Sequence, residues 1–328
     1  MADKISLDEA IKHLNKQFGE TYVGEFSQKF IRTSTGVFSL DLASGGGLPQ
    51  GKVMTIAGCE SSGKTTVALN IIAQFQKAYP DKKVAYLDTD NGLDLDWAAK
   101  FGVDTKSLLV IQPDYLEMLG DTIETLLCTD AFSLIVWDSV PATLPKVQLE
   151  ESCDKQFMGG NAKGITQVCN KISVRLRHVN TSIVIINQIR DKIGAYGNAE
   201  MMPGGHSLKH LTDILVWLKK GNWIPETGEP RIGIGSKFRI TKNRTAPPLK
   251  VGEFDIYFEG LIDNNTSIVL EAMARGAIVR KGAWFHFGEH KCQGKDELIK
   301  LLVEKKMLPK LEEKLRGSSS NATKKKTE

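Results

Sequence analysis

The chain has 328 residues, of which 41% are hydrophobic and 25% charged, and its formal net charge is +4. This length and composition are typical of a soluble chain with one large α/β domain and smaller appendages. No apolar run approaches the roughly 20 residues needed to span a bilayer, and the first ten residues are too polar for a secretory signal. The sequence therefore excludes membrane and secreted classes and predicts a location in the cytoplasm.

The cysteines and histidines do not indicate a metal centre or a disulfide framework. The five cysteines are odd in number and are never spaced as CxxC. His206 and His210 lie four residues apart, and His286, His290 and Cys292 lie close together, but neither group supplies a complete ligand set. The net charge is compatible with nucleic acid and too small to indicate it. Function has to be inferred from individual motifs.

Residues 5–18 are predicted to form an amphipathic helix. One stripe of this segment carries the apolar side chains, which are Ile5, Leu7, Ala10, Ile11, Leu14 and Phe18. The segment that follows is polar and irregular as far as residue 36. The sequence leaves open whether the helix packs on its own domain or on a neighbouring copy of the chain.

The phosphate-binding pattern GxxxxGK[ST] is matched at every fixed position by residues 58–65. An apolar strand, 53–57, precedes the motif and a helical pattern, 67–79, follows it. Glycines allow successive N–H groups and a helix N-terminus to face the phosphates of a nucleotide triphosphate. Lys64 adds a positive charge there, and Thr65 offers a hydroxyl ligand for Mg²⁺. The predicted nucleotide-binding residues are Gly58, Cys59, Glu60, Ser61, Ser62, Gly63, Lys64, Thr65 and Thr66.

From residue 37 to about 260, apolar strands alternate with amphipathic helices, which predicts a mainly parallel sheet covered on both faces. The predicted strands are 53–57, 84–88, 108–112, 134–138 and 183–187. The last four end in polar residues, namely Asp88, Gln112, Asp138 and Asn187, which we expect to converge near the phosphate loop. Asp138 closes an apolar strand and is predicted to hold Mg²⁺, usually through water.

Three further strands, 213–219, 237–242 and 251–258, are predicted to extend the sheet in antiparallel fashion. A small α/β appendage follows, with helices at 267–275 and 296–304 and short strands around 284–287. Residues 317–328 are rich in Ser, Asn and Lys and are predicted to be disordered. The expected units are residues 1–36, an ATPase core at 37–262, the C-terminal α/β domain at 263–316, and a basic tail at 317–328.

The motifs resemble, in order and spacing, those of the bacterial and bacteriophage RecA recombinases over roughly residues 15–295. The matching segments read GCESSGKTT, YLDTDNGLD, LIVWDSVPAT, IVIINQIRDKIG and ITKNRTAPP. The resemblance implies a RecA-like P-loop ATPase core with an N-terminal helix and a small C-terminal α/β domain. It also implies an ATP- and Mg²⁺-dependent filament on single-stranded DNA that pairs with homologous double-stranded DNA and exchanges strands. Single-strand-binding and mediator proteins are further partners that it suggests.

The resemblance assigns roles to acidic and aromatic residues after the second strand. Asp90 stands where the family has a glutamate that polarises the attacking water, with Asp88 and Asp94 as other candidates. The alternative is that Asp90 caps the next helix. Trp97 stands where the family stacks a ring on adenine, with Asp94 near the base edge. Ordinary helix packing is the alternative for Trp97.

Two loops are candidates for DNA contact. Gln188 closes a buried strand, where its amide would reach the γ-phosphate while its backbone opens the loop 189–205. The candidate DNA-binding residues in this long glycine-bearing loop are Arg190, Lys192, Ile193, Gly194, Tyr196, Gly204 and Gly205. A lid over the nucleotide is the competing interpretation. In the loop 149–160, Met158 is a candidate wedge between bases, and Lys163 beyond it a candidate phosphate contact.

Lys242 and Arg244 are the last candidate site residues. They lie two apart in an extended segment, so they project to the same side before Pro247 and Pro248 stop the strand. In the family, the matching cations reach the ATP of the adjacent subunit. A solvated pair at a strand end is the alternative.

Two other functions use the same ATPase core: a hexameric helicase or translocase, and a regulatory ATP-binding protein without a DNA function. The short N-terminal helix and the lack of a helicase-specific domain favour the filament. The tail carries Lys324, Lys325 and Lys326, whereas bacterial RecA proteins commonly end in an acidic tail. The short chain and this tail lean towards a bacteriophage origin.

Overall fold

A computed structural model describes residues 6–18, 30–150, 160–191, 200–225, 227–228 and 230–321. The chain divides into two compact units, residues 1–31 and 32–328. The first unit contains helix α1 (Leu7–Phe18). Ser6 and Glu9 form a capping box at its start, because Ser6 N donates to Glu9 Oε2 at 3.0 Å and Glu9 N donates to Ser6 Oγ at 3.3 Å. The predicted amphipathic helix is confirmed from Leu7 onwards, and Ile5 lies outside the described residues.

The second unit contains the remaining helices and all the strands of the described chain. The helices are α2 (Phe38–Ser44), α3 (Lys64–Ala78), α4 (Leu95–Lys100), α5 (Leu116–Leu127), α6 (Lys146–Glu150), α7 (Gly160–Arg175), α8 (Gly205–Leu211), α9 (Asn265–Ala274), α10 (Lys295–Glu304) and α11 (Leu308–Asn321). The first eight strands are β1 (Arg32–Thr33), β2 (Leu48–Pro49), β3 (Val53–Gly58), β4 (Lys83–Asp88), β5 (Leu108–Ile111), β6 (Phe132–Asp138), β7 (Ser182–Gln188) and β8 (Arg190–Asp191). The others are β9 (Glu200–Met201), β10 (Ile214–Ile224), β11 (Gly233–Asn243), β12 (Val251–Tyr257), β13 (Leu261–Asp263), β14 (Val279–Lys281), β15 (Trp284–Phe287) and β16 (His290–Gln293).

Within the described residues, the central sheet has nine strands in the order β13-β12-β11-β10-β3-β7-β6-β4-β5. The strands from β10 to β5 are parallel to one another. Strands β11, β12 and β13 add on in antiparallel fashion. This arrangement confirms the predicted α/β fold with a mainly parallel sheet, and it brings the carboxyl ends of β3, β4, β6 and β7 to one edge.

Alternate residues of each central strand point to opposite faces of the sheet, and helices cover both faces. One hydrophobic cluster contains Met54, Ile56 and the apolar face of α3. The other contains Val53, Ala57 and apolar residues of α5, α7 and α8. The helices therefore cover the sheet on both sides and leave the strand ends available for a site.

The C-terminal elements pack around a third cluster, which includes residues of α9, α10 and α11. Phe38 of α2 belongs to this cluster, so α2 joins the sheet to the C-terminal elements. On the same helix, Asp41 is fully buried and accepts hydrogen bonds from Thr35 N at 2.7 Å and from Arg316 Nη1 at 3.1 Å. The guanidinium of Arg316 also lies 5.2 Å from the ring centroid of Phe38.

The structure differs from the sequence-based expectations in the direction of one strand and at some element ends. The segment 213–219 was expected to join the sheet in antiparallel fashion, but β10 runs parallel to β3 and is antiparallel to β11. Strands β10 and β11 run past the predicted ends because their outer halves pair with each other beyond the core. Helix α11 was not predicted, and it continues to Asn321, so the helix extends into the segment predicted to be a disordered tail. Three leucines on its core-facing side are buried, namely Leu308, Leu311 and Leu315. Once a helix is held in this way, adding further residues to its end costs little free energy. Residues 322–328 lie outside the described part. None of the described helices is long and apolar enough to cross a membrane.

Candidate nucleotide site

The phosphate loop runs from the end of β3 to the start of α3, and its backbone requires glycine at both ends. Gly63 has φ +90°, and a Cβ there would lie 2.5 Å from Ile256 Cδ1. A Cβ at Gly58 would lie 2.6 Å from the carbonyl oxygen of Leu218. Strands β10 and β12 therefore support the loop from below. Cys59, Glu60 and Ser61 are exposed on it.

Lys64 is buried at the N-terminus of α3, with 9% of the residue exposed. Its Nζ donates to the Cys59 carbonyl oxygen at 2.7 Å, which also accepts from Ser62 Oγ at 2.8 Å. Burial lowers the pKa of Lys64, while the negative charge of Asp138 opposes that shift. The ammonium group is thus held against the loop, where it would face phosphate oxygens. Thr66, two residues after Lys64, is buried in the first turn of α3.

Asp138 lies beneath the loop, with 6% of the residue exposed. Its Oδ2 accepts hydrogen bonds from Thr65 Oγ1 at 3.1 Å and from Tyr86 OH at 2.6 Å. Burial raises the pKa of Asp138 from 3.8 to about 6, although both hydrogen bonds lower it. A carboxylate and a hydroxyl are the oxygen ligands that Mg²⁺ prefers, and the buried negative charge favours a cation, so the residues present fit Mg²⁺.

Within the described residues, no three His, Cys, Asp or Glu side chains group so as to hold a metal ion. Mg²⁺ that enters with a nucleotide needs no such group. It is commonly held by one or two protein oxygens together with phosphate oxygens and water.

The acidic residues after β4 lie beside Asp138. Asp88 and Asp138 are direct partners in the parallel ladder between β4 and β6. Thr89 fixes the two strand ends together, because its N and Oγ1 donate to the Asp138 carbonyl oxygen at 2.7 and 2.9 Å. Asp88 is buried and accepts from the backbone N–H groups of Gly92 and Leu93.

Asp90 is exposed, and its Oδ1 accepts from Gly92 N at 3.2 Å. Partial burial of its carboxyl group raises the pKa of Asp90, and the charge of Asp88 adds to that shift. The alternative role of Asp90 as a helix cap is wrong, because Asp94 is the N-cap of α4 and accepts from Asp96 N and Trp97 N.

Gln188 closes β7 directly beside the loop, where it pairs with Gly58 in the parallel ladder. Ile189 N donates to the Gly58 carbonyl oxygen at 3.2 Å. The neighbouring Asn187 donates from Nδ2 to the Pro203 carbonyl oxygen at 2.8 Å. The end of β7 therefore contacts both the phosphate loop and the segment that leads into α8.

Trp97 is partly buried on α4 and packs against the core, with its ring centroid 5.1 Å from that of Phe101. Lys100 Nζ lies 5.5 Å from the same ring. These contacts agree with the packing alternative and leave part of the ring accessible. Asp94 is engaged as the helix cap through Oδ1.

Lys242 and Arg244 both contact their own chain. Lys242 Nζ donates to the carbonyl oxygens of Lys209 and His210 at the end of α8. Arg244 Nη1 lies 3.5 Å from Asp213 Oδ1 and is half-exposed. The two cations are therefore not simply solvated, and each has an intramolecular partner that an adjacent subunit would have to replace.

Part of the candidate DNA-binding set can be located. Lys163 is exposed on α7. Gly204, with φ +95°, is the N-cap of α8, and Gly205 follows with φ +66°. The backbone of Arg190 pairs with Met201 in the ladder between β8 and β9, and its side chain lies outside the described residues. Also outside them are Met158, Lys192, Ile193, Gly194 and Tyr196.

Tyr86 is the site residue that the sequence analysis missed. A tyrosine in an apolar strand is typical of a core residue. The one indication of a role in the site was its position two residues before Asp88, on the same face of β4. The partners of Lys242 and Arg244 were also missed, because these partners lie on α8 and just before β10, and no sequence spacing relates them to the two cations.

Comparison with known proteins agrees with this geometry. The family model for the RecA N-terminal domain matches residues 5–263. Protein RecA of Thermus aquaticus is 39% identical over 319 residues, which is 95% of this chain and 92% of the relative. Protein RecA of Sulfurimonas denitrificans is 38% identical over 322 residues, and that of Aquifex pyrophilus is 36% identical over 324 residues, each covering 92% of the relative. The chain therefore belongs to the RecA family of recombination and repair proteins.

Proposed function

We propose that this RecA-family protein binds ATP with Mg²⁺ at the loop between β3 and α3 and hydrolyses the ATP in response to DNA. The observation that carries the proposal is the bond of 3.1 Å between Thr65 Oγ1 and Asp138 Oδ2, beneath a loop that also holds the buried Lys64. A hydroxyl, a carboxylate and an ammonium group at one helix N-terminus suit a nucleotide triphosphate with its cation.

The side chains of the nucleotide site have separate roles in hydrolysis. Lys64 and the loop N–H groups bind the β- and γ-phosphates, and Thr65 and Asp138 would hold Mg²⁺. When bound, Mg²⁺ supplies positive charge that stabilises the phosphate oxygens. Asp90 orients the attacking water, and its raised pKa suits a group that accepts a proton. Asp88 is less suitable, because backbone N–H groups already occupy its carboxylate.

The proposal extends to DNA and to assembly. The segments 149–160 and 189–205 contact single-stranded DNA in a helical filament, which pairs with homologous double-stranded DNA and exchanges strands. Gln188 couples the two sites, because it lies between the phosphate loop and the second segment. Trp97 and Asp94 face the base of the nucleotide. Helix α1 docks on the adjacent subunit. The segments 1–36, 37–262 and 263–316 are the functional units of the chain.

The test is ATP hydrolysis with and without single-stranded DNA. The wild-type protein should hydrolyse ATP faster with DNA. Lys64→Ala should lower kcat by about 100-fold or more, because no other cation of the loop replaces it. Asp90→Asn should bind ATP normally and hydrolyse it slowly, whereas Asp88→Asn is the matched control for a neighbouring carboxylate. Equal rates for Asp90→Asn and the wild type would move the role to another acid, and near-normal turnover by folded Lys64→Ala would contradict the whole assignment.

Electron microscopy with single-stranded DNA and a non-hydrolysable ATP analogue tests the assembly. A continuous helical filament is expected. A closed ring would indicate the helicase or translocase alternative, and no assembly would indicate a regulatory ATP-binding protein.

A further inference from the structure

Tyr86 is a buried phenol on β4, the second strand from one edge of the central sheet. Its strand, β4, lies between β5 and β6, and only 1% of the residue is exposed. A buried tyrosine hydroxyl needs a hydrogen-bond partner, since an unmade bond there is costly. Tyr86 OH donates to Asp138 Oδ2 at 2.6 Å, a length typical of a hydroxyl bonded to an ionised carboxylate.

The geometry separates the two oxygens of Asp138. Tyr86 and Thr65 both donate to Oδ2. Among the residues that the structure describes, none donates a hydrogen bond to Oδ1. Two donors on one oxygen fix the rotation of the carboxylate and leave Oδ1 as the oxygen that is available for a cation or its bound water.

The two donors differ in what happens when nucleotide binds. Thr65 belongs to the phosphate loop and is itself an expected ligand of Mg²⁺, so its contacts change with the state of the site. Tyr86 belongs to the sheet and not to the loop, and its Cα is paired with Val136 of β6 and Val110 of β5. Its hydrogen bond to Asp138 is therefore expected to persist when a nucleotide enters the loop.

We infer that Tyr86 is a positioning residue that orients the Asp138 carboxylate and so sets the affinity of the site for Mg²⁺. This inference rests on the proposed function. Removing the hydroxyl frees the carboxylate to rotate, and partners of this kind typically change metal affinity by about 10- to 100-fold. A purely structural hydroxyl would instead change stability and leave the Mg²⁺ dependence as it was.

The experiment measures binding of a fluorescent N-methylanthraniloyl ADP to Tyr86→Phe in EDTA and across a Mg²⁺ titration. The affinity in EDTA should match that of the wild type, because no phosphate contact is lost. The Mg²⁺ concentration for half-maximal tightening should rise by about 10-fold. Neither reading depends on hydrolysis.

Tyr79→Phe is the matched control. Its hydroxyl also makes hydrogen bonds within the same unit, to Thr33 Oγ1 at 3.0 Å and Gln50 Nε2 at 3.0 Å, and these partners lie outside the phosphate loop. Its Mg²⁺ midpoint should equal that of the wild type. If Tyr86→Phe does not fold, Tyr86→Met removes the same donor with an adaptable apolar side chain, and the same titrations apply.

The outcomes separate the two hypotheses. An unchanged Mg²⁺ midpoint for Tyr86→Phe, or an equal loss of affinity in EDTA and in Mg²⁺, overturns the role of Tyr86 alone. A wild-type protein whose nucleotide binding does not respond to Mg²⁺ overturns the proposed function as well.

Discussion

Asp138 combines burial with negative charge beneath the phosphate loop. Because its folded-state pKa of about 6 lies above the ordinary value of 3.8, the folded protein holds this proton more tightly than the unfolded chain. The sign follows from linkage: the contribution of Asp138 to stability falls as the pH rises from about 4 to about 6 and then stays constant. In the absence of a cation, the ionised group destabilises the fold by on the order of 3 kcal/mol at most.

Asp138→Asn should therefore stabilise the nucleotide-free protein above pH 6 while it weakens Mg²⁺-dependent binding. The amide oxygen still accepts hydrogen bonds, and the cost of burying a charge disappears. Denaturant unfolding at pH 4.5 and pH 7.5, without nucleotide or Mg²⁺, measures the effect. We expect the variant to gain about 1–3 kcal/mol over the wild type at pH 7.5 and little at pH 4.5. The same difference at both pH values would show that ionisation of Asp138 is not the cause.

Residue identities at the loop could be predicted because the motif fixes both chemistry and spacing. The structure brings Lys64, Thr65 and Asp138 together as that pattern predicts. The donor from Tyr86 could not be predicted, because a sequence does not show which buried atom a phenol meets. The contacts of Lys242 and Arg244 depend on how β11 pairs with β10, which no local pattern determines.

At the scale of elements, β7 and α8 join the nucleotide site to the second candidate DNA segment. Gln188 lies beside Gly58 at one end of this segment, and Gly204 begins α8 at the other. In the proposed function, this connection would transmit a change in the phosphate loop to bound DNA.

Replacing Arg190 and Lys192 by Ala should weaken binding of single-stranded DNA and flatten its salt dependence. Two lost phosphate contacts should reduce the magnitude of the slope of log K against log salt by about 1.4. Fluorescence anisotropy across a salt series measures this slope, with ADP affinity measured in parallel.

Lys171→Ala/Arg175→Ala is the charge-matched control, because these exposed cations of α7 pair with Asp121 and Glu124. An unchanged slope together with impaired ADP binding would favour a lid over the nucleotide.

Element positions were predictable where burial is complete. Strands β3, β4, β6 and β7 lie within two residues of their predicted ends, because each is an apolar run bounded by polar residues. The outer halves of β10 and β11 were missed because Lys219 and Lys220 are exposed there, so the ladder continues without an apolar signal. Helix α11 was missed because its polar end resembles a tail.

At the scale of the whole molecule, the proposed filament requires Lys242 and Arg244 to act on the nucleotide of an adjacent subunit. Lys242→Ala/Arg244→Ala should fold as a monomer and lose DNA-stimulated hydrolysis. Mixing it with Lys64→Ala should restore part of the activity, since about a quarter of the junctions in a random equal mixture join an intact loop to intact cations. Co-filaments that form and stay inactive would show that the cations do not act across the interface.

The ion pair between the buried Asp41 and the partly exposed Arg316 affects how the molecule denatures. It ties α11 to α2, which contributes to the clusters on both sides. The sheet and the C-terminal elements should therefore melt as one cooperative calorimetric transition, and mild proteolysis should not release residues 263–316 as a stable fragment.

Arg316→Ala should lower stability by about 2–3 kcal/mol and split the transition in two, because Asp41 loses its countercharge. Arg316→Lys, which keeps the charge, should retain a single transition at a lower temperature. Two transitions in the wild type would mean that the C-terminal elements fold independently of the sheet.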